Sequence, residues 1–131
     1  MITKNRAFGD LGEEIAARYL KSKGYLVLTR NYLKPYGEID LVSSKSGIIH
    51  FIEVKSVSRE ITKEKGSVSR VTGDWNPADR VDKRKLKKLE RVIDTYLLEH
   101  RFDMDWQVDV ALVSIDEKNK RARVEIIENA Y

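Results

Sequence analysis

GEIDLVSSKSGIIHFIEVK, residues 37–55, reads as two apolar runs joined by a small polar turn, and each run carries charge where a half-buried sheet would hold Val or Ile. Runs of this composition, bounded by Gly, Ser and Lys, predict two strands over "GEIDLV" and "IIHFIEV" with "SSKSG" as the hairpin loop. Side chains two apart on a strand share a face, so Ile49, Phe51, Glu53 and Lys55 point one way and His50, Ile52 and Val54 the other. Antiparallel pairing around the turn sets Asp40 opposite or diagonal to Glu53, within the reach of cross-strand side chains. Two carboxylates and an ammonium then converge.

Carboxylates held together repel unless a proton or cation intervenes, and hard oxygen ligands at this spacing suit Mg²⁺ or Mn²⁺ rather than Zn²⁺. A cation so held could polarise a phosphoryl oxygen, with Lys55 orienting a water or stabilising developing charge, which points to phosphodiester hydrolysis. The competing reading is a solvated pair on an exposed sheet face, Lys55 neutralising Glu53 as a surface ion pair. Glu38 shares the face of Asp40 and adds a second acid to either reading.

Outward from this hairpin the chain reads as one domain, residues 1–131, without repeats or a dividing linker. Hydrophobic residues make up 41% and charged residues 35%, and no run approaches the roughly 20 apolar residues of a membrane span. The N-terminal "MITKNRAFGD" has no apolar signal core, and the chain has no cysteine for disulfides or thiolate metal sites, so a cytoplasmic protein is expected. The net charge of +4 tilts the choice of partner toward polyanions.

Phe8, Leu11, Ile15, Ala16 and Tyr19 recur at helical spacing and predict a helix from about Asn5 to Lys23, capped at Gly24. "YLVLTRN" follows as a strand. Residues 56–78 are polar and broken by Gly and Pro, a long loop with a short edge strand at "SVSRVTG" as an option. A second helix runs from about Ala78 to His100 with Leu86, Leu89, Ile93, Tyr96 and Leu97 on its apolar face, and "WQVDVALVSI" and "ARVEIIE" complete the strands. The order implies an α/β fold, a mixed sheet flanked by helices.

Within "DKRKLKKLER", residues 82–91, the leucines face the core and leave Lys83, Arg84, Lys87, Lys88 and Arg91 as a basic surface, either for phosphate contacts or simply solvated. Lys63, Lys65 and Arg70 in the long loop, with Trp75 beyond, could close over a nucleic acid. His50 points away from Glu53 and is assigned no role.

The hairpin, its Glu-x-Lys ending and a preceding helix bearing Glu resemble the core of the PD-(D/E)xK nuclease superfamily. "GDLGEEIAARYLKSKGYLVLTRNY", "GEIDLV" and "FIEVK" are similar, more narrowly, to the YraN-like family of uncharacterised bacterial proteins, UPF0102, related in fold to archaeal Holliday junction resolvases. The resemblance spans nearly the whole chain. It implies a restriction-endonuclease-like fold, with Asp40, Glu53 and the backbone carbonyl of Val54 as ligands of Mg²⁺ or Mn²⁺, Glu13 assisting directly or through water, and Lys55 positioning the nucleophile.

It also implies cleavage of nucleic acid, DNA first and branched or flapped DNA among the candidates, and, by analogy, a homodimer. The alternative is a non-catalytic module that binds nucleic acid or protein on the same fold. Two departures stand out: Ser56 and Val57 follow Lys55 where the family commonly has Arg, with Arg59 as a substitute, and "QVDV" stands where the family often has "RFDV", so Gln107 replaces Arg beside Asp109. Glu14 lies four residues before Arg18 as a surface pair, whereas Glu13 is flanked at that spacing by alanines and is free to reach the hairpin. Against that, Asp10 could cap a late-starting helix with Glu13 closing a capping box.

Overall fold

The computed structural model describes residues 4–61 and 83–131. The elements run α1 (Lys4–Ser22), β1 (Leu26–Lys34), β2 (Gly37–Lys45), β3 (Ile48–Ser58), α2 (Lys83–His100), β4 (Asp105–Asp116) and β5 (Arg121–Ile127). The sheet order is β1-β2-β3-β4-β5; β3 and β4 are parallel and every other neighbouring pair is antiparallel. This is the mixed sheet expected from the element order.

Each face of the sheet packs one helix. Ala16, Ala17 and Leu20 of α1 are buried with Leu41, Ile52, Ala111, Val113 and Ile115, and Phe8 and Ile15 pack at the margin. Val92, Ile93 and Tyr96 of α2 are buried on the other face with Ile39, Val42, Ile49, Phe51 and Val108. Burial of two apolar faces against one central sheet is the main stabilisation of the fold. The stripe beginning at Phe8 is part of α1, which starts six residues before Asp10, so Asp10 is inside the helix and caps nothing.

Three boundaries differ from the sequence expectation. Strand β2 continues through Lys45, so most of "SSKSG" is sheet and only Ser46 and Gly47 turn, with φ of 52° and 78°. Positive φ at both central residues is the two-residue hairpin geometry that follows sheet twist, and glycine meets it without strain. Strand β1 passes beyond Asn31 to Lys34, because Asn31 tolerates φ of 53° and keeps the strand paired across that kink. Strand β3 likewise extends through Ser58, held by parallel pairing to Ile115, where a loop from residue 56 was expected. Lys63, Lys65, Arg70, Trp75, the optional strand "SVSRVTG" and the expected helix start at Ala78 lie outside the described residues.

Helix α1 approaches β3 closely through Gly12. A Cβ there would lie 1.7 Å from Ser56 Oγ and 2.9 Å from Ser56 Cβ, so no serine rotamer alone makes room. Gly12→Ala is expected to destabilise the protein by about 1–3 kcal/mol, the usual cost of overpacking. Denaturant titration checks this, and Ser56→Gly in the same chain should recover part of the loss.

Candidate active site

The β2–β3 ladder runs from Lys45–Ile48 to Leu41–Ile52. The next pair in that count would be Asp40 with Glu53, and there the pairing stops while β3 continues to Ser58 against β4. Ile39 packs with the α2 cluster and Leu41 with the α1 cluster, although residues two apart on a regular strand share a face. Strand β2 therefore rotates at Asp40. Its neighbour in the β1 register is Asn31, the residue with left-handed φ, so the two strands kink together.

The rotation gives Asp40 a backbone partner: its Oδ2 accepts the Val54 N–H at 2.8 Å. In a strand the N–H and C=O of one residue point to the same side. The Val54 carbonyl thus faces the gap where β2 and β3 part, the side on which Asp40 stands.

Glu13 comes from α1, brought down to the sheet by the Gly12 contact. With its amide oriented as the surrounding groups require, Asn31 donates its side-chain nitrogen to both Glu13 oxygens at 2.9 and 3.2 Å. Burial, the negative charge of Asp40 and a hydrogen bond to Asp40 push the Glu13 carboxyl up from 4.5 to about 6, against the lowering effect of Asn31. Asp40 is also raised, chiefly by burial and then by the charges of Glu38 and Glu53, while the Val54 N–H and Glu13 hold it down. Glu14, by contrast, turns outward to Arg18 and Arg30 at 2.9 Å each.

Glu53 and Lys55, two apart on β3, form a half-exposed ion pair at 3.1 Å. The other Glu53 oxygen accepts the Tyr131 hydroxyl, and Tyr131 itself packs against the α2 cluster. Burial and the carboxylate of Glu53 raise the Tyr131 phenol well above its ordinary value, so it stays a donor. Glu13, Asp40, Glu53 and Lys55 are thus brought together, with Asn31 and Tyr131 as partners that no motif or spacing singles out. Asn31 carries only the faint signal of a residue type suited to a left-handed kink.

Three acids around one ammonium leave an excess of negative charge, and the donor set of carboxylate and carbonyl oxygens fits a hard divalent cation. Lys83, Arg84, Lys87, Lys88 and Arg91 are all exposed on α2. A Cβ on Gly37 would lie 2.8 Å from Val92 Cγ2, so α2 packs closely on the β1–β2 turn there. Arg91 also stacks over the Tyr36 ring, 3.9 Å from its centroid. At Gln107, the side chain donates to Asp109 at 2.8 Å, and Arg59 is fixed through its backbone N–H on Ile115 at 3.0 Å.

A five-stranded mixed sheet between two helices, with acids gathered where its central hairpin opens, is an α/β protein of restriction-endonuclease-like fold. Comparison with known proteins gives the family. A model of the uncharacterised protein family UPF0102 matches residues 12–113. A UPF0102 protein of Campylobacter fetus is 34% identical over 126 residues, 96% of this chain and 95% of its own length. Similar proteins of the same family name occur in Campylobacter lari, 34% identical over 93% of this chain and 91% of its own, and in Alkaliphilus oremlandii, 31% identical over 97% and 99%. The chain belongs to the UPF0102 family. Among the described residues no helix is long and apolar enough to cross a membrane.

The raised Glu13 carboxyl has a measurable consequence in the metal-free protein. The unfolded chain gives up this proton near 4.5 and the folded one near 6, so the stability the group contributes is complete below 4.5 and is lost as pH rises through 6. Unfolding titrations should show stability falling between pH 4.5 and 6.5 more steeply in the parent than in Glu13→Gln.

Proposed function

We propose that this protein is a nuclease that hydrolyses phosphodiester bonds of nucleic acid, DNA in the first place, with Mg²⁺ or Mn²⁺ as its cofactor. The observation that supports this reading is the meeting of Glu13, Asp40 and Glu53 beside Lys55 at the point where the β2–β3 ladder ends. Asp40, Glu53 and the Val54 carbonyl are the proposed metal ligands, with Glu13 joining directly or through water. A divalent ion bound there supplies polarisation of a phosphoryl oxygen and a more acidic water.

The chain's own groups do the rest. Lys55, 3.1 Å from Glu53, orients the attacking water and offsets the charge that builds on the phosphate oxygens. Tyr131 fixes one oxygen of Glu53 and so sets the direction of the other. The exposed basic residues of α2 give contacts to phosphates without reading bases, so binding should be salt-dependent and tolerant of sequence.

The test is a cleavage assay on single-stranded, duplex, flapped and four-way-junction DNA with Mg²⁺, Mn²⁺ or EDTA. Cutting in either metal, none in EDTA, and a fall of roughly a hundredfold or more in Asp40→Asn and Lys55→Ala are expected. In the same series, Lys87→Ala should weaken DNA binding on every substrate and lower the slope of log affinity against log salt by about one. Salt-sensitive binding with no cleavage in any metal would replace this reading with a non-catalytic binding module.

A further inference from the structure

On the α1 face of the sheet, away from the carboxylate centre, a second polar cluster lies inside the protein. His50 and Asp109 are buried, their side chains 5% and 0% exposed, and His50 Nδ1 lies 2.6 Å from Asp109 Oδ2. Glu128, just past the end of β5, is exposed and borders them. A ring nitrogen of His50 and one oxygen from each carboxylate all lie within 4.8 Å of one another.

We propose that His50, Asp109 and Glu128 bind a divalent transition-metal ion of the zinc type, at a structural site distinct from the carboxylate centre. One nitrogen and two carboxylate oxygens are donors that zinc accepts at about 2.0–2.2 Å, which needs ligand atoms roughly 3.4 Å apart in a tetrahedral set. The exposed Glu128 supplies the adjustment. His50 Nδ1 and Asp109 Oδ2, now 2.6 Å apart, would part by roughly 0.8 Å as the ion replaces the hydrogen bond that joins them.

Three observations favour a cation here over a closed hydrogen-bond network. Asp109 receives the Gln107 amide at 2.8 Å and the Asn129 N–H at 3.1 Å, neutral donors that orient its carboxylate as outer partners orient a metal ligand. Ser43, the cross-strand partner of His50, is fully buried, and its hydroxyl has no hydrogen-bond partner among the described residues. That orphaned oxygen stands beside the imidazole, suited to the fourth position directly or through a water, and leaving it unmade costs stability. The Tyr25 ring packs edge-on against His50, 5.1 Å between ring centroids, and holds the plane of the imidazole.

The cluster differs from the Asp40 centre in place as well as donors. His50 shares its face with Ile52, under α1, whereas Glu53 shares that of Phe51, and three strand residues separate them by roughly 10 Å. A bound ion would tie β3, β4 and the segment after β5 together.

The experiment removes the first site before looking for the second. In an Asp40→Asn/Glu53→Gln chain, Zn²⁺ is titrated against a chromophoric chelator and Co²⁺ is followed by its visible absorption. One equivalent of either ion, a thermal midpoint that rises with Zn²⁺, and at least a tenfold loss of affinity on adding Glu128→Gln are expected. Glu128 is exposed, so that variant should unfold like its parent without metal. No bound equivalent in the starting chain, or undiminished binding in Glu128→Gln, would overturn the proposal, and neither outcome bears on nuclease activity.

Discussion

The hydrogen bond from the Val54 N–H to Asp40 organises the rest of this structure. It ends the β2–β3 ladder by giving a strand amide to a side chain. A backbone donor at that position requires a partner, and a carboxylate is a stronger acceptor than the carbonyl it replaces. Once the ladder stops, β3 is free to continue beside β4 alone, and a gap opens on its other side. The kink shared by Asp40 and Asn31 lets β2 change face there, so that Ile39 and Leu41 serve different cores.

Such a site is costly to fold around. Glu13 and Asp40 both carry raised carboxyls, and in each case burial is the larger cause and a neighbouring acid adds to it. The apolar layers on the two sheet faces supply the compensation. The Gly12 contact with Ser56 shows how closely α1 must sit to contribute at all, since even one methyl would separate Glu13 from the sheet. Stability and the carboxylate cluster are therefore coupled through the same helix.

Strand β3 carries charge or a titratable ring on both faces, which is uncommon for a central strand. Glu53 and Lys55 emerge where the ladder has ended and are half exposed. His50 lies earlier, where the sheet is complete, and is satisfied by Asp109 of the parallel neighbour. The parallel register of β3 and β4 is what makes that pairing available.

The amino-acid sequence by itself determined the element order and the two amphipathic helices, and strand alternation set Glu53 and Lys55 on one face of β3; the two-residue turn at Ser46 and Gly47, which brings Asp40 level with Glu53, was decided by the structure, because "SSKSG" reads as a loop. The sequence also separated Glu13 from Glu14: the spacing to Arg18 assigned one outward, and Glu14 does pair with Arg18. Tertiary structure alone decided the kink at Asn31 and Asp40, the extension of β2 and β3, the Asn31 and Tyr131 contacts, and the burial of His50 against Asp109. Those depend on residues 18 to 78 positions apart, or on a left-handed backbone that several residue types tolerate, and no local pattern encodes which distant side chain will arrive. Periodicity says which face a residue occupies; only packing says what stands opposite.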